Sequence, residues 1–142
     1  MKSRNSILLL AVLLFSSAVQ ATPAKTAAVA PLTPEAVVQA QLDAYNRRDL
    51  EGFLGFYAED AVLANHPNQV TQTGKAEMRT RYQLRFSNPN VHAEIIKRVA
   101  FGRFVIDHER VVAAPPAEGT LEAVAVYEIK DGKIVRVTFL TQ

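Results

Sequence analysis

Residues 44–63 read AYNRRDLEGFLGFYAEDAVL, and this stretch decides the fold because it links two helices and then passes into a strand. Asp49 is a short acceptor side chain, which suits the residue that caps a helix N-terminus. After it, apolar side chains recur at i, i+3, i+4 and i+7, the spacing of one helical face. They are Leu50, Phe53, Leu54 and Tyr57. The stretch therefore predicts a helix over these residues, a break at residues 59–60 and a strand from residue 61.

The first 21 residues have the three parts of a secretory signal peptide. Lys2 and Arg4 precede an apolar run at residues 7–15, and the small-residue pattern VQA follows at residues 19–21. The apolar run is much shorter than the stretch of about 20 residues that spans a bilayer as a helix. We therefore expect export to the periplasm or the medium, and no membrane span in the mature protein.

Residues 22–32, TPAKTAAVAPL, show no hydrophobic periodicity and are predicted to form a flexible linker. The remaining residues, 33–142, have the length of one domain with one core.

Composition excludes several classes of function. The chain has 16 Lys and Arg residues against 14 Asp and Glu residues, and cleavage after residue 21 would remove Lys2 and Arg4. The balanced charge that results indicates neither nucleic acid nor an anionic membrane as a partner. The sequence has no cysteine, which excludes disulfides and thiolate chemistry. Because His66, His92 and His108 are widely spaced, we predict no metal site and no cofactor.

The remaining patterns predict helices first and strands afterwards. Thr33-Pro34 has a hydroxyl side chain followed by proline, which is typical of a helix start, and that helix should end near Arg48. A third helix is predicted over residues 75–86, where four basic residues indicate a solvated face: Lys75, Arg79, Arg81 and Arg85. Alternating strands follow at residues 91–101, 104–113, 120–129 and 133–140. This order predicts an α+β fold with three helices packed on one face of a curved antiparallel sheet.

The motif N-x-x-D at residues 46–49, followed by YAEDA at residues 57–61, resembles the NTF2-like superfamily, in particular its SnoaL-like and ketosteroid-isomerase-like branches. The resemblance covers residues 33–142. It implies a cone-shaped α+β barrel with an apolar pocket at its open end, and a homodimer. The superfamily includes isomerases, dehydratases, epoxide hydrolases, polyketide cyclases and non-catalytic binding domains, so the resemblance does not by itself define an activity.

His66 is one candidate catalytic residue, because the general base of the ketosteroid-isomerase relatives lies at about this place in the chain. A neutral histidine can accept a proton near pH 7. The alternative, which we favour, is that His66-Pro67-Asn68 forms an exposed loop without a role.

Asp107 and His108 are further catalytic candidates on a predicted strand, where alternation places Asp107 and Glu109 on one face and His108 on the other. If the carboxylate face looks into the cone, desolvation and repulsion would raise one pKa and support proton transfer. If it looks outward, these are surface charges that pair with neighbours such as Arg98. We favour the outward orientation, since charged residues are mostly exposed.

Four tyrosines on predicted buried faces are candidates for contact with a substrate: Tyr45, Tyr57, Tyr82 and Tyr127. A phenol that lines an apolar cavity can donate a hydrogen bond to a carbonyl or a developing oxyanion. Tyr57 is the preferred candidate, on account of its place at the end of the second helix. Arg98 is a further candidate for contact with a substrate.

The functional residues of two branches do not carry over to this sequence. The tyrosine of the ketosteroid-isomerase branch would fall near Gln41, and its protonated aspartic acid near Val124 or Ala125. The catalytic carboxylates of the limonene-epoxide-hydrolase branch would fall at Val112 and near Phe139. Two functions therefore remain open: an exported acid/base enzyme acting on a small hydrophobic carbonyl compound by isomerisation, dehydration or cyclisation, and a non-catalytic module that binds a hydrophobic ligand or dimerises through its sheet.

Overall fold

A computed structural model of the chain describes residues 30–112 and 119–141. The predicted signal peptide and most of the predicted linker lie outside the described residues. The described residues form three helices and six strands: α1 (Pro34–Asn46), α2 (Leu50–Gly55), β1 (Tyr57–Asn65), β2 (Gln69–Thr73), α3 (Gly74–Phe86), β3 (His92–Phe101), β4 (Phe104–Val112), β5 (Thr120–Lys130) and β6 (Lys133–Thr141). None of these helices has the length and apolar character that crossing a membrane requires.

Both predicted helix caps are present. The Thr33 hydroxyl accepts a hydrogen bond from the backbone N–H of Ala36 at 3.2 Å, at the start of α1. The Asp49 carboxylate accepts from the backbone N–H of Gly52 at 2.9 Å, at the start of α2. Each cap satisfies a backbone donor that the first turn of a helix leaves free, so local chemistry sets where α1 and α2 begin.

The second helix is shorter than predicted, and the assignment of Tyr57 to it is wrong. α2 ends at Gly55, and Tyr57 is the first residue of β1. The backbone N–H of Ile134 donates to the carbonyl of Phe56 at 2.9 Å, which joins this point of the chain to β6. The change to a strand keeps the Tyr57 side chain inside, where it is 2 % exposed, and gives the backbone a partner in the sheet.

The six strands form one sheet in the order β2-β1-β6-β5-β4-β3. Its neighbouring strands are antiparallel except β1 and β6, which are parallel, so the curved sheet is mixed rather than wholly antiparallel. β2 and β3 are its edges and the cone is therefore not closed. The three helices pack against this sheet, which confirms the predicted α+β architecture.

Phe53 is the centre of the core between the helices and the sheet. Its side chain is fully buried, and its ring lies 4.4 Å from that of Tyr82 and 5.0 Å from that of Tyr57, measured between centroids. The rings of Tyr45 and Phe86 lie 6.0 and 5.6 Å from it. Tilted and edge-on aromatic pairs at these distances are favourable, so the cluster fixes the position of three of the four tyrosines.

Candidate functional site

A cavity of about 60 Å³ opens between the helices and the inner face of the sheet. All four tyrosines line it. A second space of about 150 Å³ adjoins it and shares the wall formed by Tyr82, Arg85 and Glu109. We call the first space, which all four tyrosines line, the inner part of the cavity, and the second, which Arg81 and residues of β1 and β2 also line, the outer part.

Asp107 and Glu109 point inward, so the favoured outward orientation is wrong. Asp107 is 1 % exposed and Glu109 is 6 % exposed. Both lie on the alternating buried face of β4, together with Val105 and Val111. The sequence pattern shows that the four share a face, but the helices decide that this face is covered.

Asp107 is held by Arg98, its neighbour across the pairing of β3 and β4. The Arg98 guanidinium donates to both carboxylate oxygens, at 2.6 and 2.7 Å, and its third contact is the Gln39 side-chain oxygen at 2.7 Å. The carboxylate raises the pKa of Arg98, mainly through the hydrogen bonds. A two-point ion pair of this kind fixes the Asp107 carboxylate, and the contact with Gln39 ties α1 to the sheet.

Glu109 lies on the cavity wall without such a partner. Burial, and secondarily the charge of Asp107, raises its pKa to about 7. The charges of Arg85 and Arg98 oppose this increase but do not cancel it. Two carboxyl groups two residues apart on one strand thus have different surroundings, because only Asp107 has a guanidinium bound to it.

Several polar groups reach the cavity without a protein partner. Among the described residues, the side chains of Gln41, Tyr57, Tyr82, Glu109 and Tyr127 make no hydrogen bond with one another or with the backbone. In this part of the chain, every side-chain nitrogen or oxygen that is sealed from solvent has a hydrogen-bond partner. The polar atoms of these side chains therefore remain accessible from the cavity, where a ligand can contact them.

The tyrosines differ in what their hydroxyl groups can do. The Tyr45 hydroxyl accepts a hydrogen bond from Arg85 Nε at 2.7 Å. Burial is the main cause that raises the pKa of Tyr57 and Tyr127 well above the usual value, and it raises that of Tyr82 as well. These three phenols stay neutral at physiological pH and are hydrogen-bond donors.

The other predicted site residues do not come together at the cavity. His66 lies in the exposed turn between β1 and β2. His108 is on the opposite face of β4 from Glu109, its side chain is 41 % exposed, and its Nε2 lies 3.3 Å from Glu122. Arg98 is near the site, but its guanidinium is occupied by Asp107 and Gln39.

Three polar residues of the cavity were not among the predicted site residues: Gln41, Arg85 and Glu109. Glu109 shares its strand face with Asp107, and alternation provides that signal. Arg85 was assigned to a solvated face, although it follows Met78 by seven residues and Tyr82 by three, which places it on their buried stripe. In the part of the chain that the structure describes, no three histidine, aspartate or glutamate side chains are grouped so that they could hold a metal ion.

The fold and the cavity together define an NTF2-like α+β domain with an acidic residue inside its cone. Residues 38–137 match the family model of the SnoaL-like domain, and the chain belongs to this family. No protein of curated function matches its sequence.

Solved structures share the fold. A cystatin-fold protein from Novosphingobium aromaticivorans, itself uncharacterized, is 29% identical with a TM-score of 0.71, over 76% of this chain and 97% of that one. An NTF2-like protein of unknown function from Cytophaga hutchinsonii is 13% identical with a TM-score of 0.67, over 78% and 91% of the two chains. An LEH-like epoxide hydrolase from M. tuberculosis is 19% identical with a TM-score of 0.60, over 75% and 80%. The last two show similarity of fold alone.

Proposed function

We propose that the protein transfers a proton on a small, mainly apolar carbonyl compound bound in the cone, with Glu109 as the acid/base group. The observation that carries this proposal is a carboxyl group on the cavity wall with a pKa of about 7. A general acid or base works best when its pKa lies near the operating pH, and strongly perturbed acids in clefts are found preferentially at functional sites.

Asp107 acts through Glu109 in this proposal. It was a candidate base, but its two-point pairing with Arg98 leaves its oxygens occupied. Its negative charge raises the pKa of Glu109 and keeps part of the Glu109 population protonated at neutral pH. Asp107 is therefore a positioning residue, and the two carboxyl groups have separate roles set by their surroundings.

The reaction needs hydrogen-bond donors as well as a base. The Glu109 carboxylate removes a proton from the carbon next to the carbonyl, and the electrons of that C–H bond form an enolate. The enolate oxygen accepts hydrogen bonds from the donors that face the cavity, which are the Gln41 amide and the neutral phenols of Tyr57 and Tyr127. Protonated Glu109 then returns the proton, to the same carbon or to a conjugated one, which gives isomerisation.

A second candidate function is the binding of a hydrophobic ligand without turnover. It is favoured by Ala125, a fully buried apolar residue in the part of β5 where the resemblance implies a protonated aspartic acid. A site without that donor stabilises an enolate less well, although it can still hold an apolar molecule.

The test begins with a thermal-shift screen of steroids, terpenoids, aromatic ketones and polyketide-like lactones. A ligand at ~100 times its dissociation constant stabilises a fold by about 2.7 kcal/mol. Ketones that bind are then incubated in D₂O, and exchange of their α-protons is followed by NMR. We expect exchange with the wild-type protein to rise with pH through about 7, as the Glu109 carboxylate forms.

In the same assay, Glu109→Gln should lower the exchange rate by roughly 100-fold or more, because the amide cannot accept the proton. Glu122→Gln, which changes an exposed carboxylate on β5, is the matched control and should leave the rate unchanged. A ligand that stabilises the wild type and Glu109→Gln alike, and that exchanges its α-protons at the same rate with each, would contradict the proton-transfer function. That result would support ligand binding without turnover.

We propose further that the chain is exported through its N-terminal signal peptide and associates as a homodimer through its sheet. Support for association comes from apolar side chains that are exposed on the strands: Ile96, Val99 and Phe101 on β3, and Leu140 on β6. Phe101 is 77 % exposed, which is unusual for so large an apolar side chain unless another surface covers it.

A further inference from the structure

Arg85 lies in the wall shared by the inner and outer parts of the cavity. Its Nε donates to the Tyr45 hydroxyl at 2.7 Å, and its guanidinium carbon lies 5.7 Å from the centre of the Tyr45 ring. These two contacts fix the guanidinium group on its Nε side. Its two terminal nitrogens make no hydrogen bond to any residue within 30–112 and 119–141, so they remain available as donors.

No carboxylate of the described residues lies within ion-pair distance of Arg85, although the side chain is only partly exposed. Glu109 is near enough for its pKa to be affected, but it is largely protonated below pH 7 and then carries no charge. The Tyr45 phenol is neutral too, because burial raises its pKa. Arg85 is therefore a partly desolvated cation without a fixed counter-charge, an arrangement that costs free energy unless an anion completes it.

The outer part of the cavity adds a second cation and polar side chains beside Arg85. Arg81 lies one helical turn before it on α3 and lines the same space, as do the side chains of Asn65, Thr71 and Gln72. Residues four apart on a helix lie side by side, so both arginines contribute to the wall of the outer part. Besides Arg85, the inner part is lined by Gln41 and Glu109 and otherwise by aromatic and aliphatic side chains.

We propose that the ligand of this cavity is a small organic acid: an apolar body in the aromatic inner part, and a carboxylate bound by Arg85 with help from Arg81. Guanidinium and carboxylate groups match in shape and form short, charge-assisted pairs. A singly charged carboxylate fits better than a phosphate dianion, because Asp107 and ionised Glu109 repel the larger negative charge. The inference rests on the proposed function, since it specifies the substrate class of the same cavity.

The test compares two probes of nearly equal shape, 2-naphthoate and the neutral ketone 2-acetylnaphthalene. Their affinities for the purified protein are measured by calorimetry in low salt at a pH of about 6, below the pKa of Glu109. We expect 2-naphthoate to bind roughly tenfold more tightly or better, which corresponds to about 1.4 kcal/mol. 2-Naphthyl phosphate is compared with 2-naphthoate at a pH of about 8, where the phosphate is a dianion and Glu109 is ionised, and it should bind more weakly.

Variants then assign the preference to the proposed residues. Arg85→Gln should lower 2-naphthoate affinity by roughly tenfold and leave 2-acetylnaphthalene within about twofold. Arg81→Gln should have a smaller effect in the same direction, and it covers the case in which the Arg85 variant does not fold. Arg79→Gln changes an arginine of the same helix that pairs with Glu51 outside the cavity, so it is the matched control and should change neither affinity.

Equal affinities of the two naphthalenes for the wild-type protein, or equal losses for both probes in Arg85→Gln, would overturn the inference. Failure of 2-naphthoate to bind at millimolar concentration would count against it as well, and tighter binding of 2-naphthyl phosphate would assign the site to phosphate. These outcomes are independent of the proton-transfer proposal. Glu109→Gln should keep the carboxylate preference even though it loses proton exchange, so each proposal can fail alone.

Discussion

The buried acid of the cavity should make the stability of this protein depend on pH in a direction opposite to that of most carboxylates. In the folded protein the pKa of Glu109 is raised from 4.5 to about 7. Between these two values the folded state holds a proton that the unfolded state releases. Stability from this group is therefore fully present below a pH of about 4.5 and is lost as pH rises through 7.

The magnitude follows from the two pKa values. An increase from 4.5 to about 7 corresponds to about 3 kcal/mol between the protonation states, since each tenfold change in acidity is worth about 1.4 kcal/mol. Glu109 is 6 % exposed, so solvent screening reduces this value little. In a domain of this size, about 3 kcal/mol is a change in Tm of roughly 10 °C.

Urea unfolding of the wild-type protein and of Glu109→Gln, followed by circular dichroism from a pH of about 4 to about 8, measures the effect. All other titrating groups are common to the two proteins and largely cancel in the difference. We expect the wild-type free energy of unfolding to fall by about 3 kcal/mol relative to the variant across this interval. Relative to the control Glu122→Gln the wild type should show no such fall, because that variant keeps Glu109 and loses only a carboxylate whose pKa is lowered by hydrogen bonds from Arg110 and His108.

Parallel stability curves for the wild type and Glu109→Gln would refute the reasoning, because they would mean that Glu109 titrates alike in the folded and unfolded states. A direct NMR titration of the Glu109 carboxyl carbon would give the same answer without unfolding the protein.

Two further predictions concern the ion pair and the association state. Asp107→Asn should destabilise the fold by about 3 kcal/mol near pH 7, since it replaces the carboxylate that pairs with Arg98 at two points by a neutral amide with one acceptor oxygen. Urea unfolding measures the loss; a value below about 1 kcal/mol would contradict it, and adding Arg98→Met should recover part of the stability. Sedimentation velocity should show a dimer that Phe101→Ser weakens, and a wild-type protein that stays monomeric at high concentration would exclude the sheet-mediated dimer.

The helices and strands of this protein were largely predictable because their signals are local. The caps at Thr33 and Asp49 act within four residues, and the structure places both hydrogen bonds where the sequence predicts them. The alternating pattern of β4 predicted that Asp107 and Glu109 share a face. The pairing of Arg98 with Asp107 follows from the tight turn at Gly102-Arg103, which sets the register of β3 on β4.

Two local predictions failed because tertiary contacts outweighed local preference. Tyr57 continues the helical stripe of α2, yet its backbone gains a place beside β6 when it becomes a strand residue. Arg85 was assigned to a solvated face because of the charge on its helix, although its spacing from Tyr82 places it at the cavity wall. Propensity and charge are weak preferences, and burial of an aromatic face can override both.

The sequence by itself determined the α+β class, the order of the elements, the helix starts and the shared face of the two carboxylates. Only the tertiary structure decided that this face lies under the helices, because a period of two is the same whichever face is covered. It also decided how the surroundings of the two acids differ. Asp107 is paired with the Arg98 guanidinium, whereas Glu109 lies mainly among aromatic rings at the cavity wall, and its pKa is raised. A pKa depends on burial and on charges brought from other elements, so no local pattern contains it.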